Sequence, residues 1–100
     1  MKQMKISKDR DAKFKNMEKD FETFANAHRL EILSYLKARK CASVGQIADS
    51  VDFSFKAVSK HLLYLAEKNI LQRQYDGSFV LYKISDSLPR VANFIISSLL

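Results

Sequence analysis

Residues 43–62 read SVGQIADSVDFSFKAVSKHL and carry two helix-start signals, at Ser43 and at Ser54. A serine before a helix accepts a hydrogen bond from a first-turn amide, and Gln46, three residues after Ser43, completes the reciprocal capping pattern. A short helix through Ser50 follows, with Ile47 and Val51 on one face. Asp52 and Phe53 interrupt it, and Ser54 caps a further helix over about 55–68. Val58, Leu62 and Leu65 recur there at helical spacing, with Ala57 adjacent. Two capped helices around a tight turn at 51–53 are what a helix-turn-helix requires.

Downstream the hydrophobic period changes from helix to strand. Ile70–Tyr75 and Phe79–Ile84 are rich in strand formers, and Asp76-Gly77 between them reads as a type I′ hairpin turn. That turn pairs Tyr75 with Ser78, Gln74 with Phe79 and Arg73 with Val80. Asp86 or Ser87 opens a last helix with Pro89 in its first turn. Val91, Ile95 and Leu99 share a face of it, widened by Phe94 and Ile96.

Upstream, Asn26 caps a helix with Leu30, Leu33 and Leu36 as its stripe, flanked by Ile32 and Tyr35 and ending in Lys37, Arg39 and Lys40. Phe14, Met17, Phe21 and Phe24 give a first amphipathic helix over about 13–25, after a flexible basic arm at 1–12. The expected architecture is mainly α with a small β-hairpin (α+β), a winged helix-turn-helix of order ααααββα. Residues 13–100 form one domain, with the helix-turn-helix at 43–67 and the wing at 70–84.

Composition narrows the function classes. One hundred residues suit one domain, and the formal charge of +6 favours a polyanionic partner. The excess is uneven: residues 1–20 hold seven Lys/Arg against four Asp/Glu, whereas residues 41–76 balance at four against four. The helix-turn-helix must therefore act through a few placed side chains. The single cysteine, Cys41, excludes an internal disulfide framework; a thiol after Arg39 and Lys40 has a redox reading, against which stands the inertness of most lone cysteines. The chain shows no membrane-length apolar run and no signal-peptide core, so a cytoplasmic protein without membrane contact is expected. A Gly-rich phosphate loop, a nucleophile elbow and a dense His/Cys/carboxylate cluster are all missing, which argues against an enzyme. The aromatic-rich sheet motif of RNA binders is missing too.

The runs Ser43-Val44-Gly45-Gln46-Ile47-Ala48, Phe53-Ser54 and Ala57-Val58-Ser59-Lys60-His61-Leu62 resemble the ArsR/SmtB group of winged-helix repressors. The likeness continues through Leu65-Ala66-Glu67, Ile70-Leu71 and Tyr75-Asp76-Gly77-Ser78 to Tyr82, and upstream takes in Ala27-His28-Arg29-Leu30 with Ile32-Leu33. It spans roughly residues 24–85. The resemblance implies a homodimeric double-stranded-DNA-binding regulator whose first and last helices form the subunit interface. Phe14, Met17, Phe21 and Phe24 with Val91, Ile95, Ile96 and Leu99 are the interface candidates, and they offer more apolar surface than one small core needs. Many relatives also bind metal, but Ser43 and Gly45 stand where a Cys-x-Cys pair often lies. The last helix has no His and only Asp86 and Ser87 at its start, and nothing in the sequence brings His28 and His61 together. No metal and no cofactor are expected.

With Val58, Leu62 and Leu65 inward, Ser54, Phe55, Lys56, Ser59 and Lys60 face solvent, with His61 at the margin. Serine and lysine bond phosphate oxygens, and lysine also reads guanine edges. On the wing, Arg73, Gln74, Ser78 and Lys83 are candidates for phosphate or minor-groove contact. Tyr64 and Tyr75 read as packing residues. The main alternative is a winged-helix protein-interaction module without DNA binding, for which Phe55 is a small hint.

Overall fold

The computed structural model describes residues 8–100. The order is α1 (Lys8–Phe24), α2 (Ala27–Arg39), β1 (Cys41–Ser43), α3 (Val44–Val51), α4 (Phe55–Glu67), β2 (Leu71–Asp76), β3 (Phe79–Ile84) and α5 (Arg90–Leu99). The mainly helical winged fold expected from the sequence is the one observed. Among the described residues no helix is long and apolar enough to cross a membrane.

α2 is the centre of the core. Its Ile32, Leu33 and Leu36 are buried against Ile47 of α3 and Val58, Leu62 and Leu65 of α4, all 0–1% exposed. Ile70, Leu71 and Tyr82 close the core from the sheet side, and Ala92, Ile95 and Ile96 close it from α5. The three inward residues of α4 fall at the spacing of one helical face, so core burial fixes which side of α4 faces water.

β1 is a strand that sequence periodicity does not show. Cys41, Ala42 and Ser43 pair antiparallel with Lys83, Tyr82 and Leu81, giving a sheet of order β1-β3-β2. Three residues are too few to show alternation, and Ala42, paired with Tyr82, is buried with it in the core.

The hairpin register also differs from expectation. Asp76 pairs with Phe79, Tyr75 with Val80, Gln74 with Leu81 and Arg73 with Tyr82, so the loop is Gly77-Ser78. Gly77 has φ +63° and Ser78 is not among the positive-φ residues, as a type II′ turn with glycine first requires. Partners shift by two, so each side chain keeps its face.

The helix ends show three further differences. α1 reaches back to Lys8, so residues 8–12 are helical and not part of an arm. Asp9 and Asp11 sit at its electropositive first turn, and Lys15 pairs with Asp11 at 3.5 Å. The rest of the expected arm, 1–7, lies outside the described residues. α5 begins at Arg90, with Pro89 as its N-cap instead of a first-turn residue. Proline pushes the preceding residue out of the helical region. The Ser85 hydroxyl is used locally, accepting from the Ser87 amide at 3.1 Å. α4 ends at Glu67 with Lys68 as its cap, and the next residue, Asn69, is left-handed at φ +62°, with the Ile70 amide donating to the Leu65 carbonyl at 3.0 Å. Asparagine there takes the place of the usual glycine.

The molecule is elongated, 62 × 24 × 24 Å, with a radius of gyration of 16.3 Å; a compact chain of this length has about 13 Å. α1 accounts for this. Its last turn docks through Thr23 and Phe24, while Phe14 and Phe21 remain about half exposed.

Candidate nucleic-acid interface

Ser43 begins the reading unit with a complete capping box. Its Oγ accepts from the Gln46 amide at 3.2 Å, and its own amide donates to Gln46 Oε1 at 2.9 Å. α3 then stops at Asp52, a left-handed residue at φ 57°, which turns the chain toward α4. Ser54 Oγ accepts from the Ala57 amide at 3.1 Å. Such a cap stabilises a helix start by about 1 kcal/mol. It also occupies Ser54 in holding the helix, leaving the remaining first-turn amides of α4 directed outward as an anion-attracting end.

On α4 the expected outward residues are exposed except Ser59. Phe55 is 61% exposed, Lys56 and Lys60 are exposed, and Ser59 and His61 are half-buried. Neither lysine has an ion-pair partner among the described residues. Glu67 is the nearest acidic residue along the helix, about 16 Å from Lys56 at 1.5 Å per residue. A locally neutral segment therefore presents a basic helix start. On the wing, Arg73, Gln74 and Ser78 are exposed. Lys83 is held by Asp86, at 3.1 Å, and is not available at the wing tip. Tyr75 is not a packing residue, being 75% exposed, and Phe79 on the opposite strand is 69% exposed.

The two histidines, far apart in sequence, do meet. The His28 ring stacks on Phe53 with centroids 3.7 Å apart, and His61 stands edge-on to His28 at 5.8 Å. The cluster joins the start of α2, the helix-turn-helix turn and α4. Burial, then the Arg29 charge, then His28, lower the His61 pKa below its usual 6.5. Well above pH 6.5 His61 is neutral in both the folded and the unfolded chain. As pH falls below 6.5 the unfolded chain takes the proton first, so this site's stability is lost toward the folded pKa. Thermal melts of the wild type and His61→Gln should agree in their pH dependence above 6.5. Below it the wild type should lose more stability; parallel curves down to pH 5 would refute the coupling.

Arg29 is a key residue that sequence reasoning missed. It donates from Nε to the Thr23 carbonyl at 2.7 Å and from Nη2 to the Glu22 carbonyl at 3.0 Å, satisfying the last turn of α1. Its guanidinium also lies 4.5 Å over the Tyr64 ring, and the Tyr64 hydroxyl shares a 3.3 Å hydrogen bond with Thr23. One side chain thus ties the end of α1 to α4. Its position beside His28 at the start of α2 was visible, but its partners were not.

The interface candidates divide. Phe14, Phe21 and Leu99 are exposed, and Met17 and Val91 are half-buried. Phe24, Ile95 and Ile96 belong to the chain's own core and are unavailable as outer contacts. Phe94, 62% exposed, joins the exposed set. A groove of about 880 Å³ runs between α1 and α5, lined by Met17, Phe21, Val91 and Phe94 among others.

The residues present do not fit the metal sites of the resembled group. Ser43 serves the capping box, Gly45 has no side chain, and Cys41 is an exposed strand residue opposite Lys83. Among the described residues no cluster of three or more His, Cys, Asp or Glu is placed to hold a metal ion.

The family model described as "Bacterial regulatory protein, arsR family" matches residues 26–73. The solved structure of NolR from Sinorhizobium fredii superposes with a TM-score of 0.83 at 25% identity, covering 97% of this chain and 93% of that one. The transcriptional repressor PagR of Bacillus anthracis gives 0.69 at 30% identity, covering 87% and 99%. A homodimeric winged helix-turn-helix DNA-binding domain from Mycobacterium bovis gives 0.72 at 20% identity, covering 95% and 84%, a likeness of fold. No curated protein sequence matches the chain.

Proposed function

Because this chain belongs to the ArsR family of bacterial regulatory proteins and is a regulator, not an enzyme, we propose that it is a sequence-specific transcriptional repressor. It acts in the cytoplasm as a homodimer on double-stranded DNA, without a metal ligand. The observation that carries this reading is the outward face of α4, where Lys56 and Lys60 stand exposed beside the helix start with no acidic partner among the described residues. α4 enters the major groove, with Ser54, Ser59 and His61 beside the lysines, and Arg73, Gln74 and Ser78 of the wing follow the flanking backbone. Repression is the activity that PagR's description names. The dimer rests on the groove between α1 and α5, whose phenylalanines are exposed among the described residues. A two-fold protein reads a palindromic site with matched half-site spacing.

Binding to duplex DNA should be steeply salt-dependent. Lys56, Lys60 and Arg73 from two subunits give about six phosphate contacts, for which affinity falls about a thousandfold between 50 and 200 mM salt. A gel-shift titration against random and genomic duplexes measures this. The second reading, an interaction module without DNA binding, draws on the exposed Phe55 and Leu63. It is the one left standing if no duplex is bound at low salt.

A further inference from the structure

We infer that Phe55 is a specificity-determining residue whose ring contacts the C5-methyl group of a thymine in the major groove. The inference rests on the DNA-binding reading above and deepens it. Phe55 is the first residue of α4, directly after the Ser54 cap, the part of a reading helix that reaches deepest into the groove. It is 61% exposed and belongs neither to the buried core nor to the half-buried shell around it. Lys56 beside it and Lys60 on the same outward side are exposed cations, so a polyanion held by them brings this ring against its surface.

Chemistry then selects the base. A phenyl ring has no hydrogen-bond donor or acceptor, so it cannot use the polar groups that distinguish adenine, guanine and cytosine edges. Thymine alone presents an apolar group in the major groove, its methyl. Ser59, one turn along and half-buried, is the polar neighbour on this side of the helix. The ring has only two side-chain torsions, so little freedom is lost when it is clamped.

The test starts from duplexes selected by the wild-type protein out of a random pool. Each thymine of the selected site is then replaced in turn by deoxyuridine, which removes only the methyl. The wild type should lose affinity about fourfold per half-site at one symmetric thymine position, the effect of uncovering one methyl. Phe55→Ala should bind the thymine duplex more weakly and be indifferent to uracil at that position. Phe55 is exposed, so the variant's melting temperature should match the wild type's. A wild type that tolerates uracil everywhere overturns the inference, as does a Phe55→Ala protein that binds like the wild type. Either result leaves DNA binding itself intact. Failure to select any duplex would remove the DNA-binding reading and this inference with it.

Discussion

Replacing Lys56 and Lys60 together by alanine is expected to weaken duplex binding about a hundredfold near 0.1 M salt. Each dimer loses four lysine–phosphate contacts, and an exposed contact of this kind contributes about 0.7 kcal/mol. The plot of log affinity against log salt should also flatten by about four units, since each lost contact removes nearly one released counterion. The fold should be untouched, because both side chains are exposed and make no ion pair among the described residues. Alanine is also the better helix former. Equal melting temperatures with unequal affinities would place the loss in the contact. If affinity and slope both stayed at wild-type values, α4 would not lie against the phosphates, and the wing or the basic N-terminal region would have to carry the binding.

The second large effect concerns assembly. Phe21→Asp with Phe94→Asp should convert a dimer into a monomer of 11.5 kDa at micromolar concentration. Both rings line the α1–α5 groove and are 52% and 62% exposed in the single chain. Covering a phenylalanine contributes about 1.5–3 kcal/mol, and the dimer covers four. A third of that sum, about 2–4 kcal/mol after the cost of association, weakens pairing about thirtyfold to a thousandfold once carboxylates replace the rings. Light scattering and sedimentation measure it, and affinity for a palindromic duplex should fall in parallel. A variant that remained dimeric would move the interface off this groove.

The parts of this fold that were legible in sequence are those built from local rules. Ser43, Gln46 and Ser54 announce their helices because a cap needs only a hydroxyl or amide within three residues. Val58, Leu62 and Leu65 identify the inward face of α4, and by subtraction the outward lysines. Features made by distant residues were not legible. Cys41–Ser43 becomes a strand only through Leu81–Lys83, and His28 meets His61 beside Phe53 only once the helices are packed. Arg29 finds Glu22, Thr23 and Tyr64 through the same packing. The hairpin register failed for a local reason, since Asp76-Gly77 and Gly77-Ser78 are both acceptable loops and a two-residue shift leaves both faces unchanged. Ile95 and Ile96 were assigned to an outer surface because periodicity marks an apolar face without saying which neighbour covers it.

The sheet order β1-β3-β2 has a consequence for behaviour at high concentration. An unpaired strand edge is a template for other chains, and the most adhesive segment here is β3, FVLYKI. That segment is the middle strand: β2 pairs with it over its whole length, and β1 covers Leu81, Tyr82 and Lys83 on its other side. The edges left open are β1, only three residues long, the short Phe79-Val80 stretch beyond it, and β2, whose Gln72, Arg73, Gln74 and Asp76 are exposed and polar. A hairpin that stands out from the body is thereby limited in joining its neighbours into a continuous sheet.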